Sequence, residues 1–199
     1  LLALAPQLAG DPAFDALRTA NEKALLVRFA YLRPGDAAAA MRTVEPHALL
    51  EYEGRWHLFG LDHDRGAERT FLLSRISGAV TITDAQFPPV RRDGAAARAR
   101  AALDALAASQ HAVVEVTPSS EAALRLGRRG RIDDGVLHLP FVDAHVLADE
   151  LASFGPEVLV REPAELRELV IAQLTRVRDA HMGPAPLAPA AVAARGAAA

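Results

Sequence analysis

Between Val27 and Leu73 the chain places five short strand patterns in about 50 residues, separated by tight turns and with little helical signal. Strands this short and this closely spaced suggest a small closed or nearly closed β-barrel. Val27, Phe29 and Tyr31 alternate with Arg28, Ala30 and Leu32, the period-two pattern of a half-buried strand, and residues 33–36 read Arg-Pro-Gly-Asp, a turn. A second strand spans 41–44 and stops near Pro46. Residues 49–52 and 55–61 face each other across a Glu53-Gly54 hairpin, and 69–73 follows the polar loop 62–66. Ahead of this block, 11–21 reads as a short helical lead-in with Phe14 and Leu17 three apart.

The second block has another rhythm. An Ala-rich amphipathic helix covers 95–109, and a strand at 112–116 ends at Thr117-Pro118. Ser119 is a plausible N-cap for a helix carrying Ala122, Ala123, Leu124 and Leu126 and ending at Gly127. A strand at 135–142 follows the Asp133-Asp134-Gly135 turn; a helix at 144–154 closes on Gly155-Pro156, and 158–160 is the last strand. This β-α-β-β-α-β order is the ferredoxin-like split unit, and Pro163 opens a closing helix with Leu166, Leu169, Val170 and Leu174 on one face. The fold class expected is α+β: a lead-in at 1–23, a barrel at 24–88, a ferredoxin-like domain at 95–180 and a disordered Pro/Ala/Gly tail at 183–199.

Composition narrows the chemistry. No run of about 18 apolar residues is present, and the apolar opening at Leu1 lacks the basic flank of a secretory signal, so the cytoplasm is the expected location. The chain has no cysteine, which removes disulfides, thiolate catalysis and thiol-ligated zinc. Its net charge of −3 gives no global attraction to polyanions. Basic charge is local: eight arginines (91, 92, 98, 100, 125, 128, 129, 131) stand against four acids between Arg91 and Arg131. With Lys23 as the only lysine, an Arg-rich vocabulary is the competing explanation of that cluster.

Arg42-Thr43-Val44-Glu45-Pro46, then residues 53–60 reading Glu-Gly-Arg-Trp-His-Leu-Phe-Gly, then 69–76 reading Arg-Thr-Phe-Leu-Leu-Ser-Arg-Ile, resemble the WYL domain family in order and spacing. Leu151-Ala152-Ser153-Phe154-Gly155 and 162–167 resemble the closing signature of that family's C-terminal extension, WCX. Val27-Arg28-Phe29-Ala30-Tyr31 with the turn at 33–36 is most similar to the PafB/PafC-type regulators of the bacterial DNA-damage response. The resemblance implies an Sm-like five-stranded barrel that senses a ligand, single-stranded DNA in the PafB/PafC type. It also implies promoter binding through a helix-turn-helix outside this chain, and a homodimer or pairing with a second WYL protein. The chain starts without an initiator methionine and reads as a fragment lacking that DNA reader.

Two positions depart from the family pattern. Trp56-His57-Leu58 stands where Trp-Tyr-Leu is expected, and Leu72 stands where an arginine usually lies between Phe and Leu. Alternation puts Trp56 and Leu58 in the core with Phe71 and Leu73, leaving His57 free to face a ligand. Single strands are held by guanidinium groups on phosphates and flat rings under bases, so Arg42, His57, Arg69 and Arg75 are the candidate contacts. Arg125, Arg128, Arg129 and Arg131 would extend a phosphate path, or equally form a solvated basic loop. Alternation gives Arg69 and Arg75 the face of Phe71 and Leu73; Ile76 breaks that parity, which points to a bulge or a strand end near Ser74 and leaves the direction of Arg75 open.

An enzyme is not expected. His57, Asp62, His63 and Asp64 lack zinc spacing, and no Gly-rich phosphate loop, nucleophile elbow or helix-borne metal motif is present. No cofactor or metal is called for. Two other readings stay open: a degenerate WYL module serving as a structural or dimerisation partner without ligand, and a small-molecule or cyclic-nucleotide sensor using the same arginines in a closed pocket.

Overall fold

The computed structural model describes residues 12–182, so the expected tail at 183–199 and the first residues of the lead-in lie outside the described part. The chain divides into two compact units between Gln110 and His111. The first contains helix α1 (Pro12–Lys23), strands β1 (Leu25–Tyr31), β2 (Ala40–Tyr52), β3 (Arg55–Asp62), β4 (Ala67–Leu72) and β5 (Ile76–Gln86), and helix α2 (Ala95–Ser109). The second contains β6 (His111–Val116), α3 (Glu121–Leu126), β7 (Arg131–Asp133), β8 (Val136–Pro140), α4 (Ala144–Ser153), β9 (Val158–Glu162) and α5 (Ala164–His181).

The five strands of the first unit form one antiparallel sheet in the order β4-β3-β2-β1-β5. Its edge strands β4 and β5 are joined only by the 3-10 turn Leu73–Arg75. In a flat five-stranded sheet the edges stand about 19 Å apart, whereas the four residue steps from Leu72 to Ile76 reach about 14 Å at most. The sheet must therefore curl, and Tyr31 Oη on β1 accepts a 3.0 Å bond from Leu72 N on β4. No ladder joins β4 to β5 among the described strands, so of the expected closed or nearly closed barrel the closed form is corrected: the sheet is curled and open. The connection Leu73–Arg75 is a 3-10 turn and not a two-residue hairpin turn, the kind that sets adjacent strands in register for pairing.

The strand count agrees with the sequence reading, but the membership differs. Segments 41–44 and 49–52 are one strand, β2, in which Pro46 sits at a register shift next to Ala48. A bulge is where a strand tolerates a residue without an N–H, so Pro46 does not stop the strand. Strand β5 was not expected; it pairs with β1 alone, through two register shifts, and its Ser77, Gly78 and Ala79 are exposed. Gly60 of β3 is required by close approach, since a Cβ there would lie 2.0 Å from the Glu45 carbonyl oxygen.

Leu17 and Ala20 of α1, Val27, Phe29 and Tyr31 of β1, Val44, Leu58, Phe71 and Leu73 form the core of this unit. Each fully buried Leu or Phe contributes roughly 1.5–3 kcal/mol by removal from water. Trp56, Leu58, Phe71 and Leu73, the motif residues expected in the core, all join this cluster; Trp56 is half-buried, with its ring 4.7 Å from Phe14. Helix α2, read from the sequence as the start of the second block, packs on β2 and β3 through Ala95, Ala99, Leu103 and Ala107. Its Asp104 accepts a 2.9 Å bond from Tyr52 Oη, and burial together with that bond raises the tyrosine pKa to about 12.

The second unit is a four-stranded antiparallel sheet in the order β7-β8-β6-β9. Its core draws Val114, Leu137, Leu139 and Val160 from the strands, and Leu126, Leu147, Leu151, Leu166 and Val170 from the helices. Ser120, not Ser119, caps α3 by accepting from Ala123 N at 3.1 Å; Ser119 instead adopts φ 62°. Asp143 caps α4. Leu174, expected on the buried face of α5, is 41% exposed, while Leu166 and Val170 are buried.

Candidate ligand-binding site

Strand β2 carries side chains to both faces of the curled sheet, and both faces cover a charged side chain. Arg42 lies opposite Phe29 and shares parity with Val44, which places it on the inner, core-facing side. It is 8% exposed and has no hydrogen bond or ion pair among the described residues. Its guanidinium nitrogens reach solvent, so the covered stem presents an unpaired positive charge at the edge of the inner face, where an anion can meet it. Arg69 of β4 pairs with Gly60 and has the parity of Phe71, again the inner face. It is exposed and likewise makes no ion pair among the described residues.

On the outer face Glu45 is 3% exposed and fully partnered. Arg91 Nη1 donates to both its oxygens at 2.7 and 2.8 Å; His63 Nε2 lies 2.9 Å from Oε1 and His47 Nε2 3.2 Å from Oε2. Burial pushes the Glu45 pKa up, and the hydrogen bonds from Arg91, His63 and His47 more than offset that, so the carboxyl is held below its ordinary value. Glu68 extends the cluster: Arg98 Nη2 donates to it at 2.9 Å and holds its pKa down. His47 Nδ1 is 3.4 Å from the same carboxylate, without hydrogen-bond geometry. Arg98 also stacks 5.9 Å from the centre of the Phe59 ring. The sequence reading missed this hub. Its visible signal was Glu45 and His47 flanking a proline inside an otherwise apolar strand.

The other expected contacts are placed differently. His57 is 9% exposed, with Nδ1 3.0 Å from the Arg55 carbonyl and its ring 6.5 Å from that of Tyr52. The free, ligand-facing orientation expected for it is thus corrected, because α2 packs on β2 and β3 and Leu50, its partner across the ladder, is buried too. Arg75 is half-buried in the 3-10 turn, where its carbonyl accepts from Leu32 N. Arg125, Arg128 and Arg129 belong to the second unit, and Arg131 starts β7. Arg125 pairs with Glu121 at 3.1 Å and stacks on Phe154, Arg129 Nη1 donates to both oxygens of Glu150 at 2.8 and 2.7 Å, and Arg128 is exposed. Asp62, in the segment read as the polar loop 62–66, ends β3, is 1% exposed and closes the β3–β4 turn by accepting from Asp64 N. No cluster of three or more metal-binding side chains occurs among the described residues.

Comparison with known families matches the WYL domain model to residues 12–81 and the WCX domain model to 108–178. The chain belongs to the PafB-like WYL–WCX proteins. Protein PafB of Mycobacterium leprae is 34% identical over 177 residues, covering 80% of this chain and 50% of that protein. Protein PafB of Mycobacterium tuberculosis strain H37Rv is 30% identical over 167 residues, again 50% of its length. The chain therefore spans about half the length of the curated relatives it matches. Among solved structures, proteasome accessory factor B/C (PafBC) of Arthrobacter aurescens is 31% identical, with a TM-score of 0.54, covering 94% of this chain and 30% of that one. Within the WYL unit the two departures from the family pattern meet: His57 on β3 stands directly opposite Leu72 on β4, and both are buried. Helix α2 falls mostly between the WYL and WCX matches and packs on the WYL sheet.

Proposed function

We propose that this chain is the ligand-sensing half of a WYL–WCX transcription regulator, and that an anionic ligand, single-stranded nucleic acid, engages Arg42 on the inner face of the WYL sheet. The observation that carries the reading is Arg42 itself: its side chain is largely covered on the inner face, its guanidinium nitrogens reach solvent, and no carboxylate pairs with it among the described residues. Arg69 on the same face supplies a second, exposed cation two strands away. On this reading the WYL unit is an Sm-like barrel opened at one seam, and the sheet order β7-β8-β6-β9 supports a ferredoxin-like WCX unit. The likeness to PafB supports a role in DNA-damage-type gene control in the cytoplasm, promoter contact through a helix-turn-helix outside this chain, and pairing with a second WYL protein. No step of this role calls for catalysis or a cofactor.

Fluorescence anisotropy with a labelled single-stranded oligonucleotide, against duplex of equal length and an Arg69→Ala variant, tests the proposal. Salt-sensitive binding that prefers the single strand and weakens in the variant supports it. A folded chain that binds neither at low salt refutes it.

One observation favours a second reading, a WYL module that acts as structural partner without ligand. His57 and Leu72 stand face to face, are both buried, and leave neither a tyrosine hydroxyl nor a guanidinium fork at that pair of positions. Restoring both (His57→Tyr with Leu72→Arg) and gaining oligonucleotide binding that the natural chain lacks would select this reading.

A further inference from the structure

Arg91 and Arg92 form a 3-10 turn with Pro89 and Val90, just before α2. The two adjacent guanidinium groups hold different parts of the WYL unit. Arg91 reaches Glu45 of β2, as described. Arg92 Nη1 donates to the carbonyl of Asn21 in the last turn of α1, and to that of Glu22 at 3.3 Å. Asn21 Nδ2 in turn donates to the Pro46 carbonyl at 2.8 Å, so the end of α1 is tied both to β2 and to the turn that clamps β2.

The end of α1 is strained. Ala24 adopts φ 53°, a left-handed conformation that suits glycine and that a Cβ disfavours. It is held by Phe87 N, which donates to its carbonyl at 3.0 Å, while the Phe87 ring lies 5.4 Å from His47 of the Glu45 hub. Release of the hub would remove the contacts that keep this residue in place.

The same hub reaches Arg42. Thr43, its neighbour, donates from N to Asp64 Oδ2 at 2.9 Å and accepts at O from His63 N at 2.9 Å. His63 then bonds Glu45. The backbone of Thr43 ties the Arg42 end of β2 to the hub, and Glu45 lies three residues along the strand from Arg42. Hydrogen-bonded contacts thus run from the backbone of Thr43, next to Arg42, to the end of α1 and the turn before α2.

We propose that the Arg91–Arg92 pair is a latch: closed, it holds β2, α1 and α2 in the arrangement in which Arg42 is buried, and ligand at Arg42 favours its release. This rests on the reading of Arg42 as the anion contact. Because coupling is reciprocal, opening the latch by mutation must raise affinity at a site it does not touch.

The test uses the whole chain and a labelled 15-nucleotide oligothymidylate. Arg91→Gln is expected to bind it at least about five-fold more tightly than the natural chain, the lower end of ordinary allosteric coupling. Saturating oligonucleotide is expected to speed amide hydrogen exchange at residues 21–26 of the natural chain by a similar factor, about five-fold or more. If Arg91→Gln does not fold, Glu45→Gln with Arg91→Gln removes both charges and serves in its place. A merely structural role for Arg91 lowers stability but does not tighten binding. Equal or weaker binding by the variant, or unchanged exchange at 21–26, overturns the latch and leaves the Arg42 reading standing; absence of binding by the natural chain overturns both.

Discussion

Three residues apart on β2, two buried residues of opposite charge sit on opposite faces of one sheet, with opposite surroundings. Glu45 has Arg91, His63 and His47 around it. Arg42 has no charged partner among the described residues. The contrast separates a charge that builds the fold from one available to a ligand. A fully partnered buried ion organises what it touches, here the β3–β4 turn and the segment leading into α2, whereas a cation whose nitrogens reach solvent without a counter-ion keeps its charge available to an incoming anion.

The comparison is most severely tested by removing Arg91. Arg91→Ala strands a buried carboxylate, and urea unfolding should show a loss of about 3 kcal/mol, at the low end for a broken buried pair because Arg91 is itself about half exposed. The same hub sets a pH dependence. The folded-state pKa of Glu45 is depressed, so its stabilisation is present above its ordinary pKa of 4.5 and is lost as pH falls through the lower folded value. Glu45→Gln should flatten the acid limb of a thermal-melt series; an unchanged limb would show that other carboxylates set it.

Next in size is Gly60→Ala, whose Cβ would press on the Glu45 carbonyl at 2.0 Å and force β2 and β3 apart. Calorimetry should register about 2 kcal/mol lost. Arg42→Met sharpens the comparison from the other side. It replaces an unpaired, largely covered cation with an apolar chain of similar length, and the protein should be as stable as before or more stable by about 1 kcal/mol. Smallest is Arg125→Ala: its pairing with Glu121 is exposed, and stability should change by no more than about 0.5 kcal/mol.

What the sequence disclosed follows from the range of the interactions involved. Alternation at Val27, Phe29 and Tyr31 marked β1, and the Glu53-Gly54 turn marked the β2–β3 hairpin, because both are written in neighbouring residues. Strand β5 was hidden because an exposed edge strand carries little apolar periodicity. Pro46 suggested a strand end; it lies at a bulge, a feature visible only once its partner Gly60 is known. For the site, the chemistry of guanidinium groups singled out Arg42 and Arg69 among four candidates, and the structure puts both on the inner face. His57 was misread because the helix that covers its face begins about 40 residues later in the chain. The Glu45 hub was invisible for the same reason, since Arg91 stands 46 residues from its partner.

The most direct test of the account is the salt dependence of single-stranded oligonucleotide binding by the natural chain and by Arg42→Met. If Arg42 contacts a phosphate, the variant should melt at the same or a higher temperature and bind more weakly, with its log–log salt slope shallower by about 0.7, the value for one phosphate contact on a single strand. Equal affinity and an equal slope in the two proteins would contradict the claim that the unpaired charge of β2 exists for a ligand.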